Sequence, residues 1–77
     1  MSVKVKLFAS MREYLGISET EVPIEQIQTV ADVWQAIAQD KPMPENTLCA
    51  VNLEHTSETA AINDGDEVAF FPPVTGG

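Results

Sequence analysis

Val68, Ala69, Phe70 and Phe71 stand in a row between Asn63-Asp64-Gly65-Asp66 and Pro72-Pro73. A short apolar run held between breakers reads as a strand, and apolar residues at both odd and even positions suit both of its faces to burial. Strands of that kind sit centrally in sheets, so this last strand is expected to have a neighbour on each side. Gly65, which accepts a positive φ at no steric cost, makes the preceding tetrapeptide a strong turn.

The rest of the chain supplies partners for that strand. Val3, Val5 and Leu7 alternate with Lys4 and Lys6, the period-two pattern of a half-buried strand. Glu19 to Ile27 carries Val22, Ile24 and Ile27 between acids, and Pro23, which has no N–H to donate, makes it an edge strand ending in a loop. Leu48 to Leu53 reads as a further strand with Cys49, Val51 and Leu53 as the better core face, while Glu54 to Ile62 weakens into turns or a short strand. Ser10 and Glu13 have capping-box spacing and Gly16 offers a stop, which predicts a short connecting helix over 11–15. The main helix opens at Thr29. Asp32 lies in its first turn, Val30, Val33, Trp34 and Ile37 form one apolar stripe, and Pro42 and Pro44 place its end near Gln39 or Asp40. Strand, turn, strand, long helix, strand, strand makes one α+β domain, a small sheet with a helix packed on it. The domain is expected to span residues 1–71, with residues 72–77 an extended tail.

A chain of 77 residues holds one core and has little room for a deep catalytic cavity, so it is expected to act with a partner. Its formal charge of -8, from four Lys and Arg against twelve Asp and Glu, points the same way. Lys4, Lys6, Arg12 and Lys41 are scattered, which argues against nucleic acid and against an acidic membrane surface. A basic protein groove is the natural counterpart, with association that salt would slow. One cysteine, Cys49, cannot close an internal disulfide, no apolar run approaches a membrane span, and the alternation of the first residues is no signal sequence; a cytoplasmic protein is expected.

After the last strand come Pro72, Pro73, Val74, Thr75, Gly76 and Gly77. The prolines stop sheet pairing and favour an extended conformation that projects the last four residues away from the body. Six extended residues reach about 20 Å. Two glycines without Cβ can thread a narrow channel and present a bare carboxylate at the end.

This ending, with Asp64-Gly65-Asp66-Glu67-Val68 before it, closely resembles the small, sulfur-carrier subunit of molybdopterin synthase, and Ala50-Val51-Asn52, Leu7-Phe8-Ala9, Arg12-Glu13 and Gly16 extend the match. The FFPPVTGG ending is highly specific; DGDEV is shared more widely among ubiquitin-like carriers. The resemblance implies a β-grasp fold. It implies that the carboxylate of Gly77 is adenylated by an E1-like adenylyltransferase with ATP and Mg, converted to a thiocarboxylate by a sulfur-transfer protein, and inserted into a large subunit. There it donates sulfur to a cyclic pterin monophosphate during molybdenum cofactor biosynthesis. Activation is chemically required, because a carboxylate anion repels nucleophiles and has a poor leaving group. The resemblance makes Val74, Thr75 and Gly76 the inserted tail, places Phe71 on an apolar docking face beside Pro72 and Pro73, and puts Arg12 near the partner contact. His55 departs from the pattern, standing where relatives often carry an apolar residue of that face. The assembly implied is two small plus two large subunits, with no complete active site, metal or cofactor on this chain alone.

Other candidates read as structural. Cys49 suits a core thiol better than a sulfur relay, and His55 has no second ligand at metal spacing. Asp64, Asp66 and Glu67 lack calcium-loop spacing, Trp34 falls in core register, and neither a Walker loop nor a dinucleotide fingerprint is present. Two further classes carry similar Gly-Gly endings: a sulfur carrier for another pathway, such as that of the thiamine thiazole, and a ubiquitin-like modifier of protein lysines.

Overall fold

The computed structural model describes residues 1–73. Within them, five strands form one mixed sheet: β1 (Ser2–Leu7), β2 (Glu19–Pro23), β3 (Leu48–Val51), β4 (Glu54–Thr56) and β5 (Glu67–Phe71), in the order β2-β1-β5-β3-β4. The last strand is indeed the middle one. It runs parallel to β1, with Val5 opposite Val68 and Leu7 opposite Phe70, and antiparallel to β3, with Cys49 opposite Phe70. The charged and proline-bearing β2 is an edge, as its sequence required.

Two α-helices and one turn of 3-10 helix complete the described domain: α1 (Ser10–Leu15), the 3-10 turn Ile24–Gln26, and α2 (Val30–Ala38). Val30, Val33, Trp34 and Ala38 of α2 are buried against Val3, Val5, Leu7, Cys49, Val68 and Phe70 of the sheet. This is the β-grasp arrangement. Trp34 meets Phe70 edge to face at 5.1 Å between ring centroids and stacks near Tyr14 of α1 at 6.4 Å, while its indole N–H donates to the Lys41 carbonyl at 3.0 Å. Lys41 in turn donates its ammonium to the Tyr14 carbonyl at 2.7 Å and lies over the Tyr14 ring, which fastens the segment after α2.

Local signals succeeded where the tertiary frame left them free. Thr29 and Asp32 form a reciprocal capping box on α2: the Asp32 N–H donates to Thr29 Oγ1, and the Asp32 carboxylate accepts from the backbone N–H of Gln28 and Thr29. Gly16 takes the left-handed conformation at the end of α1, with φ 77°. Gly65 does the same in the turn, with φ 87° and its N–H on the Ser2 carbonyl.

The α2 helix stops where expected, ending at Ala38 with Gln39 as its cap. Three expectations are corrected. The Ser10–Glu13 box does not form: the cap position falls on Ala9 at φ 51°, because the Phe8 N–H is still held by the Phe70 carbonyl and the helix starts one residue earlier than its pattern suggested. The edge strand stops at Pro23, where the 3-10 turn begins, well before Ile27. The strand from Leu48 stops at Val51, because Asn52 and Leu53 adopt positive φ, 52° and 71°, and turn the chain into β4. Leu53 is therefore 87% exposed at a hairpin tip rather than in the core. Asn52 holds that turn by side-chain contact: its amide donates to Asp66 Oδ1 and its carbonyl oxygen accepts the Glu67 N–H, both at 3.0 Å.

The hydrogen bonds from Gln28 and then Thr29 hold the Asp32 carboxyl below its ordinary pKa. A carboxylate with a depressed folded value stabilises the fold fully above its unfolded pKa, about 3.9, and loses that contribution as pH falls through the folded value. In urea titrations, Asp32→Asn is expected to be less stable than the wild type at neutral pH, and the gap should close under acid below that range. A gap independent of pH would assign the effect to something other than the charge.

Candidate functional site

Strand alternation divides the sheet into a face that packs on α2 and a face turned away from it. Across the register, Phe71 pairs with Leu48, Ala69 with Ala50 and Lys6, and Ala50 with His55. These residues share the outer face, and by alternation beyond the inward Leu7, Phe8 points the same way. The face has two halves. On the β1–β2 side, Lys4 and Lys6 stand opposite Glu21, Glu19 and Glu67, with Lys6 and Glu67 at 3.7 Å, a partly exposed pair of small energetic value. From β5 across β3, and beyond the end of β1, the face is apolar up to His55. Leu48, Ala69 and Phe71 are half-buried and Phe8 is 48% exposed.

The apolar composition of β5 therefore has two different consequences. Val68 and Phe70 are fully buried beneath α2, but Ala69 and Phe71, on the opposite side, are covered by nothing else among the described residues to the same extent. The expectation of burial on both faces holds for the strand's central position and fails for its outer side. Among the described residues, this side of the central strand is apolar and carries no helix.

His55 belongs to that surface. Its ring meets Phe71 edge to face, with centroids 5.3 Å apart and planes at 80°. The two side chains come from strands separated by β3, and the residue of β3 opposite His55 is the small Ala50, which leaves room for them to meet. Ala50 itself is only 6% exposed, although it lies on the face without a helix.

Of the residues singled out in the sequence, Phe71 and His55 are brought together, and Pro72 and Pro73 continue directly from the end of β5, the first half-buried and the second exposed. Arg12 is exposed on α1, which begins just after the Phe8 N–H contact to Phe70, at the same end of the sheet. Val74, Thr75, Gly76 and Gly77 lie outside the described residues. Phe8, Leu48 and Ala69 were not assigned to the surface from sequence. Strand parity alone could have found them, since Leu7, Cys49 and Phe70 point inward and their neighbours must point outward.

The bland readings of the remaining candidates have physical grounds. Cys49 is 4% exposed, and its thiol donates to the Thr56 carbonyl at 3.3 Å. Burial, and secondarily the charge of Glu58, push its pKa up, so the nucleophilic thiolate is suppressed. Both Asp66 carboxylate oxygens are taken, one by the Asn63 N–H within its own turn and one by the Asn52 amide of the β3–β4 hairpin. Among the described residues, no three His, Cys, Asp or Glu side chains converge as a metal site, and no helix is long and apolar enough to cross a membrane.

A β-grasp domain whose central strand delivers the chain into a Pro-Pro-Val-Thr-Gly-Gly end, beside an uncovered apolar face, defines a ubiquitin-like carrier type of protein. Residues 5–77 match the ThiS family, and the chain belongs to it. The molybdopterin synthase sulfur carrier subunit of Escherichia coli is 38% identical over an 84-residue alignment that covers 97% of this chain and 99% of that protein. Small archaeal modifier protein 1 of Haloferax volcanii is 32% identical, over 94% of this chain and 97% of its own. The crystal structure of SAMP1 from Haloferax volcanii superposes with a TM-score of 0.77 at 28% identity, covering all of both chains.

The state of Cys49 gives a direct test of its role. In the native protein at neutral pH, alkylation by iodoacetamide should be at least about tenfold slower than for a free thiol and should reach the free rate on unfolding in denaturant. Fast labelling of the folded chain would restore Cys49 as a chemical candidate.

Proposed function

We propose that this chain is the sulfur-carrier subunit of a molybdopterin synthase, with residues 72–77 as its delivery tail and Gly77 as the group-bearing residue. The observation that carries the reading is the covalent continuity between β5, whose outer side is apolar and carries no helix among the described residues, and the FFPPVTGG ending, supported by the 38% identity to the Escherichia coli carrier subunit. In this reading an E1-like adenylyltransferase uses ATP and Mg to form the Gly77 acyl-adenylate. A sulfur-transfer protein then replaces AMP with sulfide sulfur, giving the thiocarboxylate. The mixed anhydride is what makes the carbonyl carbon open to attack and gives it a competent leaving group.

The charged tail end then enters the large subunit, where Val74, Thr75 and Gly76 are the inserted tail and sulfur passes to the cyclic pterin monophosphate. Two sulfurs per product require two carrier events. Phe71, with Phe8 and Leu48 around it, docks on the large subunit, and Arg12 contributes at the rim. The acid–base groups of the transfer belong to the partner, in a cytoplasmic assembly of two small and two large chains. The chain's own part is to bind, to aim the tail and to carry the acyl group. Its charge of -8 suits it to basic surfaces on both partners, reached by diffusion.

The reading is tested by intact mass and by deletion. Protein recovered from cells should contain a fraction with one terminal oxygen replaced by sulfur, and deletion of Gly77 should abolish pterin sulfuration while leaving the thermal melt unchanged. Normal molybdoenzyme activity in the deletion strain, with no second carrier gene, overturns it. The similarity to small archaeal modifier protein 1 favours one second reading, a modifier joined to lysines. That reading requires Gly-Gly remnants on lysines of other proteins after digestion, and their absence when the chain is abundant counts against it.

Docking is tested separately. Phe71→Glu places a carboxylate on the apolar patch, where covering it without a partner is costly, and should weaken binding to the large subunit by at least about tenfold in calorimetry. Unchanged affinity would move the interface to another face.

A further inference from the structure

The outer patch is apolar at Phe8, Leu48, Ala69 and Phe71, yet it carries one side chain with hydrogen-bonding nitrogens at its edge, His55. No protein group among the described residues takes a hydrogen bond from that imidazole or gives one to it. The residue is exposed, and Phe71 orients its ring. It stands edge to face on Phe71 at 5.3 Å, is fixed by its register opposite Ala50, and sits on a strand of only three residues tied to β3. An oriented imidazole beside an apolar patch is a different instruction to a partner from an aliphatic side chain in the same place.

Chain length sets which protein covers this patch. Six residues separate Phe71 from the end of Gly77, at most about 20 Å when extended. A protein that receives the tail therefore reaches the end of the sheet from which β5 leaves, and the patch around Phe71 faces it. When that surface closes, the nitrogens of His55 lose water, and a covered donor or acceptor left without a partner costs about 1–3 kcal/mol. Charge indicates which kind of partner group is available. The chain carries -8, Glu54 is the neighbour of His55 on β4, and Asp66 borders the same surface depression as His55, while Phe71 and Ala50, packed against the ring, are uncharged. A surface complementary to this field is rich in Lys and Arg, which are donors only.

We propose that His55 is a specificity-determining residue of the docking face, an imidazole nitrogen accepting a hydrogen bond from a cationic side chain of the large subunit. The inference rests on the carrier reading above and adds the chemistry of the opposing surface. A large subunit with a wholly apolar surface at this point is a poor partner for this chain, because it leaves the imidazole covered and unpaired. The cognate surface pairs it.

Two substitutions separate hydrogen bonding from bulk. His55→Leu supplies apolar area and no acceptor, whereas His55→Gln keeps an acceptor on a flexible stem. Against the large subunit encoded in the same genome, calorimetry should show His55→Leu binding at least about tenfold more weakly and His55→Gln within about threefold of the wild type. Both variants are first checked for an unchanged thermal melt; a variant that unfolds is replaced by His55→Met or His55→Asn, which repeat the same contrast. Equal or tighter binding by the aliphatic variant overturns the proposal. Equal weakening in both variants overturns it as well, by assigning the loss to the ring's contact with Phe71. Failure of the wild-type chain to bind the large subunit at all is a distinct result, which defeats the carrier reading itself.

Discussion

The contact between Trp34 and Phe70 is the joint on which the domain depends. Phe70 is fully buried in the central strand, and Trp34 is the largest residue of the longer helix, so their edge-to-face meeting at 5.1 Å fixes the helix over the sheet. Other parts are fastened to the same point. The Trp34 indole N–H holds the Lys41 carbonyl, Tyr14 stacks near the indole from α1, and the Phe70 carbonyl holds the Phe8 N–H where β1 gives way to α1. Truncation of a buried phenylalanine ordinarily costs about 3–5 kcal/mol, a large share of the stability available to a domain of this size.

Because Phe70 faces inward, Phe71 must face outward. The same strand thus supplies the bottom of the core and the centre of the proposed docking surface, and the two roles are separated only by the pleat. This economy has a functional consequence. Hydrogen bonds to β1 on one side and β3 on the other hold β5 along its length, so the point at which the chain leaves for Pro72 is set by the sheet.

The outer face also illustrates how a small acidic chain divides labour. Lys4 and Lys6 are met by Glu19, Glu21 and Glu67 on the β1–β2 half, which keeps that half solvated, and the Asp66 carboxylate is spent on turn geometry. The other half, around Phe71, is the uncharged one and is the half proposed for docking.

Much of this was legible in the residues. The alternation of Val3, Val5 and Leu7, the Thr29–Asp32 cap, the stripe through Trp34, the Gly65 turn and the double-faced strand before Pro72 are local signals, and local physics honours them because nothing distant competes. The FFPPVTGG ending was likewise readable as sequence. Only the tertiary structure decided the rest. Whether Ser10 or Ala9 caps α1 depends on how long Phe70 holds Phe8 in the sheet, and whether Leu53 is core or tip depends on Asn52 being pinned by Asp66 and Glu67 from a remote turn. The docking face is the clearest case: Phe71 and His55 are sixteen positions apart, on strands that do not pair, and meet because β3 lies between them with only an alanine in the way. Periodicity tells which side of its own strand a residue takes; which strands lie side by side, and which of the two apolar faces of β5 the helix covers, is settled by packing the whole chain at once.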